Sequence, residues 1–361
     1  MLICPVCESV FPDGAAERCP HDQSPLYVIG DDSASRKALA AGDIVAGKYE
    51  LIEEMARRGG AGRTFRARQI QLEREVELRL LPENSITRPS DHARFRREVE
   101  TWGRLRDDHL VRLYDSGFAE GNAPYMALEY FSSGSVGDVL RAERTVSVAQ
   151  CIDILTQILS GLIAAHRANV LHRDITPDTI MIEADQSERI HARLTGFGLA
   201  KHLGDDDDDP TAITMTGQVI GNPAYMAPET IMRGILDPRT DIYALGVTTY
   251  EMVTGERPFP GRSLAEMLAA HIQGTPRKPT SLRPDIPPDL EGLIEKMIAN
   301  DASARFQSAE QVLYQLVNRK EHMVQAEPVR EKRSSQFKKS DWWLIGLLTF
   351  ITLLAALIVS I

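Results

Sequence analysis

Leu171-His172-Arg173-Asp174-Ile175-Thr176-Pro177-Asp178-Thr179 is followed by Arg193-Leu194-Thr195-Gly196-Phe197-Gly198-Leu199-Ala200, and then by Gly221-Asn222-Pro223-Ala224-Tyr225-Met226-Ala227-Pro228-Glu229. The order and spacing of these three stretches decide the fold. Around them, 361 residues with 43% hydrophobic and 25% charged content have the composition of a globular protein able to bury a core. The net charge of −10 argues against a nucleic-acid partner, because phosphate backbones attract basic surfaces. Five of the acidic charges form one run, Asp205 to Asp209.

Moving outward, Tyr49-Glu50-Leu51-Ile52 reads as a first strand. Leu72 to Leu81 sets Val76, Leu78 and Leu80 against Glu75, Glu77 and Arg79, which is strand alternation. His92 to Leu105 carries Phe95, Val99 and Trp102 at helical spacing, and from Val148 long helices dominate: Ile152 to Arg167, Asp241 to Thr254 and Leu264 to Gln273. Strands first and helices later predict an α+β fold with a small β-rich lobe followed by a larger helical lobe.

The three opening stretches resemble the catalytic loop, the magnesium loop and the A-P-E segment of protein kinases. From about Lys48 to Leu316 the chain is similar to bacterial, eukaryotic-like Ser/Thr protein kinases. The resemblance implies a two-lobed domain at 47–318, divided near residues 130 and 131. It also implies roles. Asp174 stands at the position of the base that orients the substrate hydroxyl. Gly59, Gly60 and Gly62 match a glycine-rich phosphate loop whose first glycine is here Arg57. Arg79 replaces the lysine that holds the α- and β-phosphates, and Glu98 matches its helical partner. Arg173, Phe197, Glu229, Asp241 and Arg305 stand where the family holds its helical lobe together.

Several positions depart from that pattern. Gly196 replaces the aspartate that binds the main magnesium ion, and Thr179 replaces the asparagine that binds the second. Thr176 replaces the catalytic-loop lysine, and Asn222 the threonine usual after Gly221. Glu77 brings bulk and negative charge to the place of a small adenine-roof residue. Residues 77 and 79 share a strand face, so an Arg79–Glu98 or Arg79–Glu77 ion pair is expected to fill part of the pocket. A guanidinium fork does not replace a compact ammonium. Phosphoryl transfer rests on positioning and electrostatics, and losing one preorganised contact costs on the order of 10²–10³ in rate. The resemblance with these departures implies a pseudokinase with weak or absent ATP and Mg²⁺ binding. The alternative is a divergent, active Ser/Thr kinase using unusual metal ligands.

Flanking segments extend the expectation. Three of the four cysteines fall in the first 20 residues, which points to a metal site rather than a disulfide framework. Cys4-Pro5-Val6-Cys7 and Cys19-Pro20-His21-Asp22 resemble a zinc ribbon over residues 1–28, with Cys4, Cys7, Cys19 and Asp22 (or His21) as Zn²⁺ ligands. The alternatives are a metal-free, degenerate ribbon, or a ribbon that is the functional head with the kinase fold as spacer. A linker is expected at 29–46. No charged-then-apolar leader opens the chain, so a reducing, cytoplasmic setting is expected for the soluble part.

Trp342 to Ile361 is a run of 20 residues without charge or proline. At about 1.5 Å per residue it spans roughly 30 Å, the thickness of a bilayer core. A buried C-terminal helix is the alternative, but a core helix is rarely apolar on every face. Arg330, Lys332, Arg333, Lys338 and Lys339 in the linker 319–341 place the bulk of the chain on the cytoplasmic side by the positive-inside rule. The Asp205–Asp209 run reads as a solvated loop, as a charge that docks on Arg173, or as replacement magnesium ligands. Together these features lead to the expectation of a tail-anchored scaffold or regulator. Its partners would be other proteins, such as active membrane Ser/Thr kinases, and Thr211, Thr214 and Thr216 would be candidate phosphorylation sites.

Overall fold

The alternation in residues 72–81 builds the centre of a six-stranded antiparallel sheet. Its strands are β4 (Ile44–Val45), β5 (Tyr49–Met55), β6 (Arg63–Gln69), β7 (Arg74–Leu80), β8 (Leu113–Phe118) and β9 (Pro124–Glu129), in the order β4-β5-β6-β7-β9-β8. The computed structural model describes residues 2–3, 10–11, 18, 20, 27–28, 39–55, 62–81, 89–119, 123–185, 187, 189–197, 222–261 and 263–325. Outside these residues lie Cys4, Cys7, Cys19, His21, Asp22, Gly59, Gly60, the Asp205–Asp209 run with Thr211, Thr214 and Thr216, and the stretch 342–361. Ahead of the main sheet, β1 (Leu2–Ile3), β2 (Val10–Phe11) and β3 (Tyr27–Val28) form a small antiparallel sheet of order β2-β1-β3.

One face of β7 buries Val76, Leu78 and Leu80 with Tyr49, Leu51, Phe65, Ala67, Tyr125 and Ala127. The other face presents Glu75, Glu77 and Arg79, because strand residues alternate. The sheet begins earlier than the expected linker boundary at residue 46. Gly42 donates to the Leu51 carbonyl at 2.8 Å, Leu51 donates to the Asp43 carbonyl at 2.9 Å, and Val45 is buried. Backbone pairing therefore draws residues 42–46 into the lobe. The helix α1 (Pro89–Arg104) buries Phe95, Val99 and Trp102, as its spacing predicts.

The helical lobe follows. Its helices are α2 (Val136–Glu143), α3 (Val148–Arg167), α4 (Pro228–Arg233), α5 (Pro238–Thr254), α6 (Leu264–Gln273), α7 (Pro279–Leu282), α8 (Pro288–Met297) and α9 (Ala309–Gln325), and the hairpin β10 (Ile180–Ala184) and β11 (Ile190–Leu194) lies after α3. Ser135 with Asp138 and Ser147 with Gln150 form reciprocal capping boxes that start α2 and α3. Asp237 caps α5, which starts at Pro238, three residues ahead of the expected start at Asp241. The last helix runs past residue 318 to Gln325 because Met323 is still fully buried. Among the described residues, α3 is the helix long and apolar enough to cross a membrane. It is instead the lobe's core, with Ile152, Leu155, Ile158, Leu159 and Leu162 buried and the helix packed against α5, α9 and β11.

Two buried histidines make the fold acid-sensitive. Burial pushes the pKa of His92 on α1 and of His271 on α6 down to about 4. Both stay neutral in the fold, whereas an unfolded chain protonates them near the ordinary 6.5. Their contribution is therefore intact above pH 6.5 and is lost as pH falls from 6.5 towards 4. Urea melts across this window are expected to lose stability with a slope approaching ~2.7 kcal/mol per pH unit, the value for two protons taken up on unfolding.

Candidate nucleotide cleft

Strand β7 and the loop after β11 meet across the cleft between the lobes. Arg79 stands on the polar face of β7 and donates from Nε to Glu77 Oε1 at 2.6 Å. The pair is almost closed to solvent, with side-chain exposures of 12% for Arg79 and 2% for Glu77. Arg79 also reaches over the cleft, where Nη2 donates to Thr195 Oγ1 at 3.2 Å. Of the two ion pairs anticipated from sequence, the geometry contains Arg79–Glu77. Glu98 lies on α1, and its side chain is outside the described residues.

Gly196 adopts φ +87°, a left-handed conformation that glycine takes without strain. A Cβ there would lie 3.4 Å from Thr179 Cγ2 and 3.7 Å from Arg79 Nη1. Three departures from the kinase pattern, at 79, 179 and 196, thus converge on one spot. The Thr179 hydroxyl is turned into its own loop: it accepts from the Thr176 amide at 3.0 Å and lies 3.1 Å from the Asp174 carbonyl. Gly62 has a packing role, since a Cβ there would fall 2.2 Å from the Leu80 carbonyl oxygen.

Beneath the cleft the catalytic-loop frame is complete. Asp241 of α5 accepts from the His172 amide at 2.9 Å and the Arg173 amide at 2.8 Å, and pairs with His166 Nε2 at 2.9 Å. Burial alone would raise its pKa, but His166, His172 and these amides outweigh it and hold the carboxyl below its usual range. This clamp supports Arg173 at φ +67°, a conformation that costs a non-glycine residue. His172 Nε2 lies 2.9 Å from the Thr195 carbonyl, which can only accept, so Nε2 carries the proton. Nδ1 is then free to accept from the Asp174 amide at 3.2 Å. Asp174 is half-buried at the mouth of this loop.

Phe197 ties the loop to α1, its ring lying 4.7 Å from that of His172 and 5.7 Å from that of Trp102. Deeper in the lobe, Arg305 holds Glu229 through two bonds of 2.7 and 2.8 Å and stacks over Tyr243. Thr195 is a cleft residue that sequence reasoning did not single out. Its place just before Gly196, with one hydroxyl able to accept, was the signal available. Arg193 pairs with Glu129 at the end of β9, a contact between segments far apart in sequence.

The magnesium and ATP that this fold implies find a poor fit in the described residues. No carboxylate stands at 196, no amide at 179, and the cation at 79 is already paired. Among the described residues, no group of three or more His, Cys, Asp or Glu side chains is placed to hold a metal ion. Because the Cβ position at 196 is at ordinary contact distances, Gly196→Asp is expected to fold. The left-handed backbone should cost about 1–2 kcal/mol, offset in part by a new carboxylate beside Arg79. Denaturant melts of the variant and the parent protein check this.

Comparison with known proteins bears on the fold and the family. The protein kinase domain family matches residues 49–317. The serine/threonine-protein kinase pkn3 of Myxococcus xanthus is 35% identical over 298 residues, covering 81% of this chain and 54% of its own length. PknB of Mycolicibacterium smegmatis is 30% identical over 273 residues, covering 75% of this chain and 42% of its own. The chain spans about half the length of these curated relatives. The solved kinase domain of Mycobacterium tuberculosis PknI shares the fold, with a TM-score of 0.60 at 24% identity over 78% of this chain and 99% of that domain. With both lobes, the catalytic-loop frame and this match in place, the chain belongs to the protein kinase domain family, and its relatives are bacterial Ser/Thr protein kinases.

Proposed function

We propose that this chain is a kinase homologue without useful phosphoryl transfer, acting as a membrane-tethered scaffold or regulator in Ser/Thr phosphorylation signalling. The observation that carries the reading is the Arg79–Glu77 pair beside Gly196, where a kinase would gather phosphates and metal. A tetra-anionic nucleotide would have to separate a nearly buried ion pair, and breaking such pairs is costly. No metal carboxylate at 196 would repay that cost. A second reading, an active kinase with unusual ligands, is favoured by the retained Asp174 on its fully clamped loop.

The two readings separate on nucleotide. Mg-ATP is expected to leave the thermal midpoint unchanged, and autophosphorylation should be absent. Phosphate incorporation that disappears in Asp174→Ala would instead establish the active kinase. Under the proposed reading, the combined Arg79→Lys, Thr179→Asn and Gly196→Asp substitutions should gain magnesium-dependent ATP binding, seen by calorimetry.

The flanks belong to the same proposal. Cys4 and Cys7 fall in sequence between β1 and β2, and the antiparallel pairing of Leu2 with Phe11 and Ile3 with Val10 supports the reading of a knuckle between them. Zn²⁺ held there by Cys4, Cys7, Cys19 and Asp22 would make residues 1–28 a second binding head. Residues 342–361 would anchor the chain, confining the kinase-like surface to the cytoplasmic face and raising its effective concentration towards membrane partners. Metal analysis of the full chain should find about one zinc, reduced in Cys4→Ser. Deleting residues 342–361 should release the protein from membranes in a sedimentation assay.

A further inference from the structure

We propose that Arg79 is a resident tie holding the two lobes in a closed, ordered arrangement without nucleotide, so that the surface offered to partners does not depend on ATP. The inference rests on the reading that the cleft does not take Mg-ATP, and it adds how that site is regulated. In a nucleotide-binding cleft, phosphates and metal are the groups that join a strand of the β lobe to the loop of the helical lobe. Here the Arg79 side chain makes such a connection. Arg79 is fixed on β7 by Glu77 at 2.6 Å and crosses to Thr195 Oγ1 at 3.2 Å.

Thr195 is itself a junction. Its carbonyl lies 2.9 Å from His172 Nε2, and its amide donates to the Thr179 carbonyl at 2.9 Å. The residue before it, Leu194, donates to the His109 carbonyl at 2.8 Å and accepts from the Val111 amide at 3.0 Å. Two residues on, Phe197 packs between Trp102 of α1 and His172. The Asp241 clamp then anchors His172 to α5. A continuous path of contacts therefore runs from β7 through Arg79, Thr195 and His172 to the centre of the helical lobe, with α1 attached through Phe197. Gly196 lies next to this path: a Cβ there would sit 3.7 Å from Arg79 Nη1 and 3.4 Å from Thr179 Cγ2, at ordinary contact distances.

The test is amide hydrogen exchange on the full chain in nucleotide-free buffer. Thr195→Val keeps shape and leaves the Arg79–Glu77 pair intact while removing the acceptor. Exchange in residues 192–197 and in α1 should rise about ten-fold or more, the factor that a hydrogen bond to a charged group is worth. The amides of α5 should stay unchanged, and Thr195→Ser should restore protection. Arg79→Ala should loosen the same segments as Thr195→Val. Exchange in Thr195→Val within about two-fold of the parent, or a rise shared equally by α5, overturns the tie. Protection of the parent protein by added Mg-ATP would instead count against the reading of the cleft, so the two failures are told apart.

Discussion

The carboxylate of Asp241 is the interaction on which the arrangement of this molecule depends. It is buried in α5 and receives two backbone amides and an imidazole. A charge in such a place is tolerable only when its acceptor sites are filled. Filling them fixes His172 and Arg173, and with them the left-handed turn that presents Asp174. His172 then orients Thr195 and packs against Phe197, so one buried charge organises the loop, the strand β11 and the contact with α1. The Glu229–Arg305 pair does comparable work lower down, joining α4 to the segment before α9.

Above this frame the cleft has a different character. The polar face of β7 would normally be left open for a ligand, but here it is occupied by the protein's own charges. Glu77 and Arg79 satisfy one another, and Arg79 finds a further acceptor in Thr195. The self-pairing matters because a buried, unpaired charge would be destabilising, while a paired one is neutral enough to persist. Stability in the frame and occupancy in the cleft are thus compatible in a fold that keeps kinase architecture with substituted residues at its centre.

Much of this was legible in the chain itself. The 2-residue alternation in β7 placed Glu77 and Arg79 on one face, and the spacing of Phe95, Val99 and Trp102 placed one side of α1 in the core. The three motif stretches located the catalytic loop. Element ends were less legible, for reasons that are local: Asp237 caps α5 earlier than its apolar pattern begins, and backbone bonds to Leu51 draw residues 42–46 into the sheet. The partner of Arg79 was open between Glu77 and Glu98, because pattern alone says which face a side chain is on and not where a long, flexible one ends.

Sequence by itself therefore determined the family, the order of lobes and the absence of carboxylate and amide groups at 196 and 179, since these depend only on which residue occupies each motif position. Tertiary structure decided what those substitutions do to one another. Arg79, Thr179 and Gly196 are separated by up to 117 positions, and nothing in their order says that Arg79 and Thr179 both reach within 4 Å of where a Cβ at 196 would sit. Only the folded chain brings β7 over the loop after β11, and contact between side chains is a property of that packing.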